Sequence, residues 1–317
     1  MRKFYLKVIV FIGLYLTVVF AFLVLSAQEK WSMLIADATL SGEYAYEDFG
    51  AAEIVPYIRR VQEQGEHTKL VIGDSVCNQL FERYHDINDV YCISGTNQAI
   101  SLAGQYILAE EFIKSHKEIK DIYLFLVMGS LATDYGVQLG YQYAVMPFVE
   151  TETIDNLDKD TLAKIADIYG GIFCRKEVVE MIDASPLNMK LYLNLLVEKQ
   201  RIFPAESGAL ISDETYKYLE KIYLLCEENE ITLHLVPGPH ADTERQHKLE
   251  GQIRDVLEAN GDKLGLINYL DQIVYYPEWM FRDGTHFDEK KLEDNFFQEL
   301  ALTYLPNIKT EQAGRSH

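Results

Sequence analysis

The chain has 317 residues and an apolar fraction of 48%, enough to build a sizeable core in one large domain or two small ones. Its formal net charge is −20, with 49 acidic against 29 basic residues. Such a surface repels nucleic acid, and no basic stripe opposes this, so we expect no nucleic-acid partner. The same charge disfavours binding to anionic lipid by surface electrostatics alone.

The N-terminal segment predicts a membrane anchor. Basic residues within 1–7 precede an uncharged run of 20 residues, Val8 to Ala27, which is long enough to span a membrane as a helix. The preceding positive charges place residues 1–7 in the cytoplasm and the rest of the chain outside it. The alternative is a cleaved signal peptide. However, the run exceeds the usual apolar core of such a peptide, and Leu25 stands where cleavage needs a small residue.

After a polar, partly helical stalk at 28–66, short apolar runs alternate with longer segments of helical period. This alternation indicates βαβ units and a parallel sheet covered on both faces. We therefore predict a three-layer α/β/α sandwich with a five-stranded parallel sheet over residues 67–305, followed by a tail at 306–317. The predicted strands are 69–74, 89–94, 121–129, 231–238 and 264–270, and the predicted helices are 76–85, 97–117, 213–229, 242–260 and 288–305.

Residues 130–212 interrupt this alternation between the third and fourth strands. They are too long for a simple connection, and they contain helical pieces of their own. An insertion here is expected to lie over the carboxyl ends of the strands, where ligands bind in such sheets. Ser212 ends it as a capping hydroxyl before the next helix.

Neither a metal nor an organic cofactor is predicted. Three of the four cysteines lie in or beside apolar runs and none forms a CxxC pair, so we expect no essential disulfide. The histidines show no HxH or HExxH spacing, and no glycine-rich phosphate-binding motif follows any strand. The cysteines are Cys77, Cys92, Cys174 and Cys226.

Ser75, in "KLVIGDSVCNQL", falls where the first strand turns into a helix. This geometry exposes a hydroxyl beside helix N-terminal amides that stabilise an oxyanion. A nucleophilic serine also needs a base and an orienting carboxylate. In "FRDGTHFDEK", Asp283 and His286 are spaced so that the carboxylate can hold Nδ1–H while Nε2 takes the Ser75 proton. The alternatives are a helix-capping serine, an Asp-Gly turn residue and a surface histidine.

Gly-Asp-Ser after the first strand, followed near the C-terminus by Asp-x-x-His, resembles the SGNH/GDSL hydrolase family. "YCISGTNQAI", after the second strand, is similar to the family's second block. The resemblance implies a flavodoxin-like sandwich and an oxyanion hole that contains the amides of Ser75 and Gly95, with Asn97 close by. A tight turn for Gly95 and a helix cap for Asn97 are the alternatives.

This chain departs from the third block of the family, which is Gly-x-Asn-Asp. The sequence after the third strand is "VMGSLATDYG", in which Gly129 matches but Leu131 occupies the place of the asparagine that donates to the oxyanion. Asn97 or Ser130 is the candidate replacement. Loss of one such donor costs about 3–4 kcal/mol of transition-state stabilisation, which weighs against rapid hydrolysis more than against acyl transfer.

Two further residues are candidates for substrate binding. His240 lies at the predicted end of the fourth strand, with a solvated loop histidine as the alternative. Tyr135 lies in "DYGVQLGYQY", where tyrosines could stack on a sugar, with ordinary aromatic packing as the alternative.

The overall plan resembles the membrane-anchored accessory proteins of cell-surface polysaccharide O-acylation, of the teichoic acid D-alanylation and alginate O-acetylation types. The resemblance implies a membrane-bound O-acyltransferase partner, an acyl group carried by Ser75 and a surface glycan as acceptor. We therefore expect an extracytoplasmic O-acyltransferase or esterase, with a plain deacetylase as a close variant. The alternative from another class is a non-catalytic glycan-binding or assembly subunit.

Overall fold

A computed structural model of the chain describes residues 2–26, 55–85, 88, 90–96, 99, 101–134, 153–169 and 209–308. Several of the predictions fall outside the described part: most of the stalk 28–66, most of the insertion 130–212, most of the tail 306–317, the candidate site residues Asn97 and Tyr135, and Cys174.

The described part begins with one long helix, α1 (Arg2–Ser26). Its segment Lys3–Ala21 is long and apolar enough to cross a membrane, and none of that segment is buried within the protein. The structure thus contains a helix of the length and composition that the N-terminal sequence predicts.

The centre of the fold is a sheet of four parallel strands in the order β2-β1-β3-β4. Because β2 and β3 flank β1 on opposite sides, the strand order reverses beside β1, and ligands bind outside the carboxyl ends of parallel strands at such a point. The register sets Gly73, the last residue of β1, opposite Phe125 of β3. The strands are β1 (Lys69–Gly73), β2 (Tyr91–Ile93), β3 (Asp121–Leu126) and β4 (Thr232–Pro237).

Helices pack on both faces of the sheet, because alternate strand residues point to opposite sides. Leu70 and Ile72 belong to one core, and Val71 between them belongs to the other. The first face carries α2 (Val55–Gln62), α4 (Leu102–Ser115), α6 (Asp213–Glu228), α7 (Glu244–Asn260) and α8 (Leu266–Leu270), and the second carries α3 (Ser75–Phe81) and α9 (Asp294–Tyr304).

The predicted fifth strand, 264–270, is wrong, because this segment forms α8. Leu266, Tyr269 and Leu270 are all buried, and their spacing is that of one helix face. The carboxylate of Asp262 accepts the amides of residues 266 and 267, both at 2.8 Å, which satisfies the free N–H groups at the helix start. A short apolar run in the sequence fits either a strand or a buried helix, so it does not distinguish the two.

Two very short strands, β5 (His240–Ala241) and β6 (Tyr275–Tyr276), pair in parallel as a separate small sheet. The main sheet of the described residues therefore has four strands instead of five.

The described pieces of the insertion pack on the first helical layer. Its central described piece consists of a 3₁₀ helix at Thr153–Asn156 and α5 (Lys159–Tyr169). Asp158, just before α5, accepts hydrogen bonds from Lys217 and Lys221 of α6 at 2.7 and 2.9 Å. These ion pairs fasten the described part of the insertion to α6.

Candidate active site

Asp74, not Ser75, caps the helix that follows β1. The Asp74 carboxylate accepts the Val76 amide at 3.0 Å, and Ser75 is the first residue of α3. The helix-cap interpretation of Ser75 is therefore wrong. Since the cap is supplied by its neighbour, the Ser75 hydroxyl is available for another partner at the start of the helix.

The turn between β1 and α3 requires glycine at position 73. A Cβ there would lie 2.5 Å from the carbonyl oxygen of Phe125 and 2.8 Å from Cβ of Cys77. No side chain fits between β3 and α3 at this point, because real Cβ atoms do not approach neighbours so closely. The missing side chain lets the turn lie directly on β3 and presents Ser75 at the carboxyl end of the sheet.

The structure brings the three predicted catalytic residues into one hydrogen-bonded chain. The Ser75 hydroxyl lies 2.7 Å from Nε2 of His286, and Nδ1 of His286 lies 2.9 Å from a carboxylate oxygen of Asp283. When the hydroxyl donates to Nε2, Nδ1 must carry the ring proton and donate it to Asp283. This is the order of nucleophile, base and orienting carboxylate that acyl transfer requires.

Asp283 is held in its ionised form. Partial burial alone would raise the pKa of its carboxyl group, but three hydrogen bonds oppose that effect and lower the pKa to about 2. The donors are the amide of His286 at 2.8 Å, the amide of Thr285 at 3.1 Å and the His286 ring. An ionised carboxylate at this place orients the imidazole and would stabilise an imidazolium if His286 accepted a proton.

Asp283 and His286 share one tight hairpin. Phe281 and Phe287 form an antiparallel bridge at its base, and Gly284 has φ of 82°, a left-handed value that favours glycine. The turn interpretation of Asp283 is therefore also correct, since the same carboxylate binds the turn amides and the histidine. Phe287 is fully buried and anchors the hairpin in the second core.

Gly95 lies against the first turn of α3. The amides on either side of it, of Ser94 and Thr96, donate to carbonyls of β1 at 2.8 and 3.1 Å. A Cβ on Gly95 would collide with Sγ of Cys77 and lie 3.0 Å from the Asn78 amide nitrogen. Only glycine lets this segment approach so closely, so its backbone lies next to the helix that carries Ser75.

Neither Leu131 nor Ser130 has a side chain that can donate to an oxyanion at the site. Leu131 is fully buried in the first core. Ser130 donates its hydroxyl proton to Asp74 at 2.7 Å, so it does not replace the asparagine. Gly129, the matching glycine, is exposed and lines a cavity beside the Asp283 hairpin.

The carboxylate of Asp74 also joins the carboxyl ends of β1 and β3, which the sequence did not indicate. Besides the Val76 amide, it accepts the Val127 amide at 3.2 Å and the Ser130 hydroxyl. The side chain is only 4% exposed. A buried carboxylate with three donors holds together the two loops that flank Ser75.

His240 is buried, so the solvated-loop interpretation is wrong. It is 3% exposed; its Nε2 accepts the Met128 amide at 3.2 Å, and its Nδ1 donates to the carbonyl of Gly238 at 2.7 Å. Burial lowers the pKa of His240, so the ring stays neutral. With both nitrogens bound to backbone, His240 holds the chain after β3 and has no free polar atom for substrate.

Two cavities flank the Asp283–His286 hairpin. One, of about 400 Å³, contains Ser75 and His286, and the other, of about 550 Å³, contains Asp283 and His240. Among the described residues, the other side chains that line the cavity at Ser75 are all polar or charged: Asn78, Gln79, Glu82, Arg83, Arg282 and Glu289.

Within the described residues, no group of three or more His, Cys, Asp or Glu side chains is arranged to hold a metal ion. Cys77, Cys92 and Cys226 are free, buried thiols. Comparisons with protein-family models, with curated proteins and with solved structures found no match to this chain.

Proposed function

We propose that the protein is a serine-dependent O-acyltransferase or esterase that acts on a cell-envelope polysaccharide outside the cytoplasm. The hydrogen-bonded chain from Ser75 through His286 to Asp283 carries this proposal. Its distances of 2.7 and 2.9 Å fall within the range for a nucleophile, its base and the group that orients the base. The motif order of the SGNH/GDSL family supports the same assignment.

The first half of the reaction forms an acyl-enzyme. His286 Nε2 takes the Ser75 proton while Oγ attacks the carbonyl carbon of an ester. The amides of Ser75 and Gly95 hold the oxyanion, and the imidazolium is stabilised by ionised Asp283. The carbonyl re-forms, the ester C–O bond breaks, and His286 returns its proton to the departing alkoxide.

The second half transfers the acyl group from Ser75. An acceptor hydroxyl gives its proton to His286 and attacks the acyl carbon, after which the Ser75 oxygen leaves and regains the proton. A sugar hydroxyl as acceptor gives transfer, and water gives hydrolysis. The polar lining of the cavity suits a short acyl group and a hydrophilic acceptor, such as a glycan, more than a long acyl chain.

The membrane arrangement belongs to the same proposal. Helix α1 would anchor the chain, with residues 1–7 in the cytoplasm by the positive-inside rule and the α/β domain outside. The acyl group would come from a membrane-bound O-acyltransferase, as the resemblance to surface-polysaccharide acylation proteins implies. No organic cofactor enters either half-reaction.

A non-catalytic glycan-binding or assembly subunit is the second candidate. The observation in its favour is that Leu131 lies in the core and Ser130 is bound to Asp74, so neither side chain replaces the asparagine donor of the third block. Such a subunit would keep the fold without turnover.

Labelling with a fluorophosphonate probe, followed by peptide mapping, separates the two candidates. We expect the label on Ser75, its loss in Ser75→Ala, and a labelling rate at least about 100-fold lower in His286→Ala, because the base is absent. Ser115→Ala, far from the site at the end of α4, is the matched control and should label as the wild type does. Absence of label on the folded wild-type protein, or equal rates with and without His286, would favour the binding subunit.

A further inference from the structure

We infer that Gln79 is a positioning residue that sets His286 against Ser75. The inference rests on the proposed function. Gln79 lies four residues after Ser75 on α3, which places both side chains on the same side of the helix, one turn apart. Its partner, Phe287, is the residue next to His286.

The contact between Gln79 and Phe287 is reciprocal. The Phe287 amide donates to Oε1 of Gln79 at 3.0 Å, and Nε2 of Gln79 donates to the Phe287 carbonyl at 2.9 Å. Nε2 donates its second proton to Glu289 at 3.0 Å. Only one orientation of the amide satisfies all three bonds, because the Phe287 amide needs an acceptor and its carbonyl needs a donor.

The hairpin itself explains why Phe287 needs this partner. Its two arms are joined by the Arg282 amide, which donates to the His286 carbonyl at 2.9 Å, and by the Asp288 amide, which donates to the Met280 carbonyl at 2.8 Å. In such a pair, the N–H and C=O of the residue between those bonds point away from the other arm. The side chain of Gln79 therefore takes the place of a neighbouring strand at the outer edge of the hairpin.

This arrangement puts the nucleophile and the attachment point of the base on one rigid helical turn. The buried ring of Phe287 fixes how deeply the hairpin sits in the core. The two hydrogen bonds between Gln79 and Phe287 fix where the hairpin lies along α3. They therefore set the distance from Nε2 of His286 to the Ser75 hydroxyl. A displacement of about 1 Å at such a contact costs about 100-fold in rate.

The test is a double-mutant cycle on the rate of fluorophosphonate labelling at Ser75. Gln79→Leu removes both bonds to Phe287 at similar volume, and Gln79→Glu keeps only the acceptor. In otherwise wild-type full-length protein we expect Gln79→Leu to slow labelling about 10- to 100-fold, with Gln79→Glu in between. In the His286→Ala background, Gln79→Leu should cause no further loss, because its effect passes through the histidine. For a small acetyl ester, kcat should fall while KM stays unchanged.

The matched control is Gln62→Leu. Gln62 is an exposed glutamine on α2 that bonds Glu111, away from the site, so labelling should be unaffected. Hydrogen exchange of the peptide that contains Phe287 gives a readout independent of catalysis: protection should be lost in Gln79→Leu and kept in part in Gln79→Glu.

Three results would overturn the inference, and they differ in what they say about the proposed function. An equal loss in both backgrounds would mean that Gln79 acts through stability or direct substrate contact. A wild-type labelling rate in Gln79→Leu, with Ser75 and His286 still required, would remove the role of Gln79 and leave the proposed function intact. Absence of label on the wild-type protein would overturn both.

Discussion

His240 is a histidine that the fold keeps neutral, and this has a consequence for stability. Desolvation lowers its pKa below the ordinary value of 6.5, and its nitrogens already bind the Met128 amide and the Gly238 carbonyl. Above about pH 6.5 neither the folded nor the unfolded state carries the proton. As the pH falls below that value, the unfolded state gains a proton that the folded state excludes, so the free energy of unfolding decreases.

We predict that His240→Gln reduces the pH dependence of stability between pH 7 and 5. Each excluded proton contributes at most about 1.4 kcal/mol per pH unit to the slope, and glutamine does not titrate. Denaturant unfolding of the solubilised protein at a series of pH values measures this slope. Part of the pH dependence should remain in the variant, because His116 is also buried and its pKa is also lowered. Identical slopes for wild type and His240→Gln would contradict the assignment.

At the scale of single elements, the turn between β1 and α3 depends on Gly73, whereas α7 does not depend on Gly251. A Cβ at Gly73 would meet Phe125 and Cys77 within 3 Å, and nothing lies within 4 Å of one at Gly251. We predict that Gly73→Ala lowers the free energy of unfolding by at least about 2 kcal/mol through overpacking, and that Ser75 labelling falls with it. Gly251→Ala should raise stability by about 0.5–1 kcal/mol, because alanine is the better helix former.

Thermal or denaturant unfolding of the two alanine variants tests this contrast within one protein. Both changes add one methyl group. If both raised the free energy of unfolding, the crowding at Gly73 would have to be relieved by movement of the helix. A large loss at position 73 alone would confirm that the turn has no room to move.

Sequence patterns predicted those elements whose signals are local. Four of the apolar runs form parallel strands, as expected for strands in a sheet that is covered on both faces. The contact between Asp283 and His286 was predictable from their spacing because one hairpin holds both residues. The segment 264–270 was misassigned because a run so short fits a buried helix equally well. Gln79 could not be found this way, since its partner is 208 residues away and glutamine at that place belongs to no motif.

At the scale of the whole molecule, an acidic chain carries one apolar helix at its N-terminus. A net charge of −20 disfavours electrostatic attraction to anionic lipid, and within the described residues α1 is the helix long and apolar enough to cross a membrane. High salt, which weakens charge-based contacts, should therefore leave the protein in the membrane fraction.

We predict that the full-length protein stays in the membrane pellet after washes with high salt and alkaline carbonate, and that peptides from α1 are still present in it. Leu14→Arg should increase the fraction of protein found outside the membrane pellet, because arginine at the centre of a membrane helix costs about 2.5–3.5 kcal/mol. Leu302→Arg, at an exposed position of α9, adds the same charge away from the anchor and should not. Protease added outside intact cells should digest the α/β domain. A soluble wild-type chain that begins near residue 28 would instead show that the helix is a cleaved signal peptide.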